Sequence, residues 1–252
     1  MSIDPGWPVA VALAALLVLA LGVHVYAGYG ITRQALIAAA RALAQLTVVA
    51  LLIRAVINNL ALSSLLVLVM FGVGVLTTSR RIEAPSAWLS SAAAMAAGVL
   101  PVLAIVLASG AVPAQGIAVI PVAGIVVGNV MTANTLVGRR AFAALREERQ
   151  QYLAALSLGL SPAQAIDLSL HRRAPEALLP GLDQVSTTGV VTLPGAFIGV
   201  MLGGGSPVQA ATTQALVLFG IMAAQTITVL VGERLIGARL LLPPDLQVAL
   251  ID

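Results

Sequence analysis

The sequence contains no cysteine and no lysine. Without cysteine there is no disulfide, no iron–sulfur cluster and no thiolate metal site. Without lysine there is no Walker A loop, because GxxxxGK[ST] needs its lysine to reach the β- and γ-phosphates. P-loop hydrolysis of ATP would have to happen on another chain. Histidine is limited to His24 and His171, far apart in sequence. A Ser/His/Asp constellation or an HExxH zinc site therefore has no visible basis, and a membrane enzyme is disfavoured. Charge of either sign is scarce, at 9% of the 252 residues, against about 25% in soluble domains.

What fills the chain is apolar. Hydrophobic residues make up 60% of it and the mean hydropathy is +1.03, which points to an all-α polytopic membrane protein. A span needs about 20 apolar residues. Seven segments qualify: 7–28, 34–57, 61–78, 87–109, 116–137, 186–203 and 209–231. The first has no basic residue before it, only Asp4, and its apolar run exceeds that of a signal peptide, so it reads as a retained helix. Residues 1–252 are expected to form a single transmembrane domain.

All 13 basic residues are arginines, and eleven of them fall on one side of this arrangement. They are Arg33, Arg80, Arg81, Arg139, Arg140, Arg146, Arg149, Arg172, Arg173, Arg234 and Arg239; Arg41 and Arg54 lie within the second span. The opposite connections carry no charge. By the positive-inside rule the N-terminus is outside and the C-terminus cytosolic, which requires an odd number of spans. The same arrangement accounts for the high pI without nucleic-acid binding.

One connection is long, residues 138–185. In RRAFAALREERQQYLAALSLG the apolar residues Phe142, Leu145, Tyr152, Leu153 and Leu156 share one broad helical face. Gly159 suits the left-handed residue after a helix end. Ser161 suits an N-cap, Pro162 the first helical position, and Gln164 the reciprocal capping partner. Ala174-Pro175 should end that second helix, because the residue before proline avoids the helical region. The result is helix, turn, short helix, turn: either an ordered loop or a docking element for a cytosolic partner.

Polar and helix-breaking residues within the spans are candidates for function. Arg41 and Gln45 lie one turn apart in the second span; Arg41 either snorkels to the interface or helps form a polar pathway face. The fifth span carries Pro121, Gly124, Gly128, Asn129, Met131, Thr132, Asn134 and Thr135. Gly124-xxx-Gly128 is a close-packing pattern, and the polar residues either bind helices together or line a cavity. In the sixth, Thr187 and Thr188 precede Pro194, which is expected to kink or interrupt the helix; Gly195, Gly199 and Gly203 form a second packing stripe. Asp183 and Gln184 are placed to cap this span. The spans hold one histidine, His24, and no clearly internal carboxylate, so no dehydrated metal site is visible and any metal ligands stay unknown.

The runs VIPVAGIVVGNVM (119–131), LSLGLSPAQA (156–165) and LLPGLDQVSTTGVVTLPGAFIGVMLGG (178–204) resemble the permeases of Fet-type ABC transporters. These are bacterial iron-export permeases, related to plant aluminium-sensitivity membrane proteins. The resemblance implies a homodimeric permease in the bacterial inner membrane, driven by separate cytosolic ATP-binding subunits that carry ATP and Mg, and exporting iron or another metal ion. This chain itself would bind no cofactor, and its partners would be that ATPase, a second permease and lipid. The resemblance also gives 156–165 a role. Ser157, Leu158, Gly159, Ser161, Pro162, Gln164 and Ala165 would form the coupling segment seated on the ATPase, between spans five and six. Leu153-Ala154-Ala155 and Gly159 keep the spacing of the EAA loop of importers, with leucine in place of the acidic residue. An ATP-independent secondary transporter or channel is the alternative.

Overall fold

The computed structural model describes residues 6–56 and 58–250, apart from the side chains of Arg54 and Ala55. Asp4 and the side chain of Arg54, both used above, lie outside what is described. Among the described residues the chain is helical, with a single isolated β-bridge. The helices are α1 (Trp7–Tyr26), α2 (Thr32–Val56), α3 (Leu60–Arg81), α4 (Trp88–Ala108), α5 (Gly116–Glu147), α6 (Arg149–Ser157), α7 (Pro162–Arg173), α8 (Leu179–Thr187), α9 (Gly195–Leu202), α10 (Pro207–Gly237) and α11 (Pro244–Ala249). Six of them, α1 to α5 and α10, are long and apolar enough to cross a membrane. The chain is a multi-pass helical membrane protein.

The sixth expected span is not a continuous helix. α8 stops at Thr187 and α9 starts at Gly195, so residues 186–203 do not make one 18-residue helix. The reason is local chemistry. Gly189 takes φ +91, a conformation glycine adopts freely. Val190, Val191 and Thr192 are β-branched, and Leu193 precedes a proline and is kept out of the helical region. The break is ordered: Gly189 donates to the Thr192 carbonyl at 2.8 Å and Val191 to that of Thr187 at 2.9 Å. Asp183 and Gln184 fall inside α8 and do not cap it.

The first unit, through Asn58, holds α1 and α2. None of its most apolar stretches is buried, as suits surfaces made for lipid or a neighbouring chain. The second unit begins at Asn59. Its core is a bundle of α3, α4, α5 and α10, in which α10 lies along both α4 and α5, and α3 lies along α5. α5 is one helix across Pro121, and α4 across Pro101.

The arginine-rich end carries a compact cap that composition alone did not reveal. α5 continues for about ten residues beyond its apolar part, and α6, α7, α11 and the 238–243 turn fold against it. Phe142, Leu145, Tyr152, Ile166, Leu170, Ile236, Leu241, Leu242, Leu246 and Leu250 are all buried there. Tyr152 Oη donates to the Leu250 carbonyl at 3.1 Å, so the C-terminal segment is locked to α6. Arg146 grips Asp245 with two hydrogen bonds, of 2.8 and 3.1 Å.

These bonds hold the Asp245 carboxyl below its ordinary value of 3.8. A lowered folded-state pKa means stability that is present above the ordinary value and lost as pH falls through the folded one. Both side chains are about half exposed, so the pair contributes at most about 1 kcal/mol. Asp245→Asn is expected to lower the unfolding temperature by a few degrees at pH 7. The gap to wild type should close as pH drops below the carboxylate range. A gap that persists at pH 2.5 would show that the effect is not electrostatic.

Candidate functional site

Two features stand out for function: a polar layer inside the four-helix bundle, and the turn between α6 and α7.

The layer is located by glycine contacts. A Cβ at Gly74 of α3 would lie 3.5 Å from Met95 Cε of α4 and from Val127 Cγ1 of α5. One at Gly138 of α5 would lie 2.9 Å from Cγ2 of Ile82, the residue that caps α3. One at Gly232 of α10 would lie 3.5 Å from Asn134 Oδ1 of α5. One helical turn from Gly74 toward the arginine-rich end stands Thr78 on α3, and the corresponding turns of α4 and α5 carry Ser91 and Asn134, the last beside Gly232. Thr228 lies one turn from Gly232, away from the arginine-rich end and against Gly98.

Thr78, Ser91, Asn134 and Thr228 are each 0% exposed. The Oγ1 atoms of Thr78 and Thr228, Oγ of Ser91 and both amide atoms of Asn134 have no partner among protein atoms. In a bundle core, polar groups of this kind are costly unless something satisfies them. Four helices each contribute at least one. The atoms are neutral oxygens and one amide nitrogen, and Met95 and Met131 belong to the apolar cluster of the same bundle. Such a set hydrates readily and, having no carboxylate, strips water poorly from a divalent ion. Among the described residues no three His, Cys, Asp or Glu side chains stand close enough to hold a metal ion.

Of the candidates read from the sequence, Asn134 alone belongs fully to this layer. Asn129 is half-buried; its Nδ2 donates to the Ile125 carbonyl at 2.9 Å, and its own carbonyl accepts from Gln225 Nε2 at 3.4 Å. Met131 is half-buried in the bundle, and Thr132 is exposed and bonded to the Gly128 carbonyl. Thr187 and Thr188 donate to the Asp183 and Gln184 carbonyls, at 2.8 and 2.7 Å. Arg41 and Gln45 are exposed on α2, in the first unit. Gly124 packs on Met70, while Gly128, Gly195 and Gly199 meet nothing within 4 Å and Gly203 meets only its own helix. Thr78, Ser91, Thr228 and Gln225 escaped the sequence reading, because single hydroxyl or amide residues in apolar helices look alike until their faces are known.

α8 joins the bundle at Gly181, which is buried directly against the Gln225 amide. A side chain there would push Gln225 off the Asn129 carbonyl. The interrupted segment is thus tied at its base to α10 and α5 together.

The turn has the local chemistry expected of its sequence. Gly159 adopts φ +88. Its N–H donates to the Leu156 carbonyl at 2.9 Å, and that of Leu160 to Ala155 at 3.1 Å, a Schellman ending. Ser161 and Gln164 form the complete capping box, with Pro162 at the first helical position. α7 ends at Arg173, but Ala174 before Pro175 stays in the helical region, at φ -58 and ψ -43, and the chain passes into a 3-10 turn over Ala174–Ala177 rather than leaving helical geometry there. Ala165 is buried in the cap, whereas Ser157, Gly159, Ser161 and Gln164 are exposed. Leu158 at the tip is 81% exposed, and Leu153 of α6 and Leu168 of α7 are exposed as well. Behind this surface α7 packs on α5 and α10. His171 Nδ1 lies 3.3 Å from Glu233 Oε1, next in sequence to Gly232 of the polar layer. Arg140–Glu176 at 2.8 Å and Arg173–Glu148 at 3.4 Å tie the same pieces together.

Comparison with known proteins agrees with a membrane protein. Residues 8–241 match the model of UPF0014, described as an uncharacterised protein family. The chain belongs to the UPF0014 family. It is 30% identical to the Escherichia coli "Probable iron export permease protein FetB" over 195 residues, covering 76% of this chain and 75% of that protein. It is 29% identical to the rice "UPF0014 membrane protein STAR2" over 221 residues, 86% of this chain and 78% of that protein. It is 34% identical to the Arabidopsis "Protein ALUMINUM SENSITIVE 3" over 109 residues, 43% of this chain and 40% of that protein. No solved structure matches.

Proposed function

We propose that this UPF0014 member is the permease subunit of an ATP-driven ABC transporter that exports iron or another metal ion across a bacterial inner membrane. The observation that carries the reading is the turn at Leu158 to Ser161: an exposed leucine on a doubly capped turn, backed by a helix that reaches α10. A docking element needs an apolar contact that is rigid and mechanically connected, and this one has both properties. ATP and Mg reside on a separate cytosolic subunit, since no lysine exists here to make a P-loop.

In this reading the arginine-rich end is cytosolic and the N-terminus outside. α8, the break and α9 together act as a seventh crossing, which keeps the parity that the arginines require. Broken helices at a bundle mark substrate paths in transporters. The metal is substrate here. It travels past neutral groups at the polar layer and so moves hydrated or complexed. Two copies of the chain pair through surfaces that meet nothing within the chain, including the face of Gly195 and Gly199. The FetB and aluminium-sensitivity relatives support the metal.

The test is reconstitution in liposomes with the ATP-binding partner, reading ATP hydrolysis and metal flux together. Metal-stimulated hydrolysis with outward movement is expected. Metal flux that proceeds without the ATPase subunit would favour a secondary transporter or channel and overturn the proposal.

A further inference from the structure

At the arginine-rich end of α3 and α5 lies a polar cavity that neither the layer nor the coupling turn uses. It has a volume of about 280 Å³ and is lined by Arg81, Ile82, Glu83, Arg139, Phe142 and Arg146. α3 ends in a Schellman turn in which Glu83, a non-glycine, takes φ +61. That turn brings the Glu83 carboxylate to 3.1 Å from Arg146, which Asp245 also holds. Arg146 is therefore doubly neutralised. Arg139 Nε donates to the Arg81 carbonyl at 3.1 Å, which braces one arginine against the other. Among the described residues neither Arg81 nor Arg139 pairs with a carboxylate. Three arginines against Glu83 and Asp245 leave the cavity with a formal charge of +1, concentrated on the braced pair.

We propose that this cavity binds a phosphate group, that of an anionic lipid headgroup, through Arg81 and Arg139. Planar guanidinium groups suit phosphate oxygens, and basic cavities between helices at a membrane boundary take up lipid headgroups. The neighbourhood favours a lipid over a free anion. α3 also carries an apolar groove of about 380 Å³ lined by Phe71, Gly72, Val75, Leu76, Trp88 and Ala92. Leu76 precedes Arg81 by five residues, about 7–8 Å along a helix and about 140° around it, so a lipid with its chain in the groove reaches Arg81 by curving its headgroup around the end of α3. Trp88 is 46% exposed at the inner margin of that groove, where interfacial aromatics mark the headgroup boundary.

The experiment compares wild type, Arg81→Gln/Arg139→Gln and the exposed control Arg149→Gln, reconstituted with phosphatidylcholine alone or with added phosphatidylglycerol. Retained lipid is counted by native mass spectrometry, and thermal shift gives an apparent affinity. Wild type and Arg149→Gln should hold phosphatidylglycerol, and the double variant should bind it about thirty-fold more weakly. Inorganic phosphate added in detergent forms a second arm. A phosphate-dependent shift lost in the double variant, without lipid preference, keeps the phosphate site and makes its ligand soluble. Equal lipid and phosphate behaviour in all three proteins overturns the proposal. So does a double variant that keeps its lipid but loses an ATPase subunit, which would make this a protein interface. If the double variant does not accumulate, Arg81→Gln alone, whose backbone carbonyl still accepts from Arg139, carries the same comparison.

Discussion

Gly98→Leu is expected to leave almost no folded protein in detergent extracts. α4 and α10 approach each other closely at this point. A Cβ on Gly98 would overlap the backbone oxygen of Ala224 and the hydroxyl of Thr228, and would lie 3.2 Å from the Ala224 carbonyl carbon. A side-chain tip could rotate away, but the Ala224 carbonyl belongs to the middle of a 31-residue helix. The two helices would have to separate along their whole contact. Gly220 makes a second close approach one turn away, where a Cβ would lie 3.2 Å from Val102 Cγ1. Apolar side chains gain little by leaving lipid, so close packing supplies most of the attraction between such helices. Overpacking costs about 1–3 kcal/mol even where neighbours adjust. Gly98→Ala should therefore reduce thermal stability clearly, and leucine should remove the folded state. Gly128→Leu is the control, since nothing lies within 4 Å of that position. Monodisperse Gly98→Leu protein with a wild-type unfolding temperature would show that the α4–α10 contact is not as drawn.

The ends of elements were more legible in the sequence than their faces. Gly159, Ser161, Pro162 and Gln164 act through neighbours one to four residues away, so their geometry followed from residue type alone. The five uninterrupted spans up to α5, and α10, followed from apolar length in the same way. The sixth was legible only in part: Pro194 signalled an interruption, but the length criterion counts Val190, Val191 and Leu193 as favourable and so did not place the break as early as Thr188. The same residues, placed between Gly189 and Pro194, oppose a helix. The cap was missed for a related reason. Leu241, Leu242, Leu246 and Leu250 are too few and too interrupted to register as a span, yet they suffice to close a core over Phe142 and Tyr152. Asn134 was legible as a polar residue in a span. Its companions Thr78, Ser91 and Thr228 were not, because what sets them apart is tertiary: each faces inward with its polar atoms unpaired. The glycine pattern offered a partial signal, since Gly74, Gly98 and Gly232 stand where neighbouring helices come closest.

Gly159→Val is expected to separate ATP hydrolysis from transport in a protein that still folds and inserts normally. No atom outside its chain neighbours lies within 4 Å of a Cβ at this position, so the substitution creates no clash. Its cost is conformational. A left-handed residue with a side chain costs about 1–2 kcal/mol, and a β-branched one is a worse fit still. The cheapest relief is to unwind the last turn of α6, which frees the carbonyls of Ala155 and Leu156 and redirects Leu158. An energy of about 1–2 kcal/mol depletes the native turn about five- to thirty-fold relative to alternatives. The membrane bundle does not share that cost, because Ala165, Ile166 and Leu170 still anchor α7 in the cap. The unfolding temperature should thus stay near that of wild type, while the ratio of metal moved to ATP hydrolysed falls at least several-fold. Gly159→Asn should fall in between, since asparagine tolerates left-handed backbone better than other residues with side chains. Leu158→Ala should weaken binding of the ATPase subunit without altering the turn. Wild-type coupling in Gly159→Val and Leu158→Ala together would remove this turn from the transmission path. The contacts of α7 with α5 and α10 would then be a matter of stability alone.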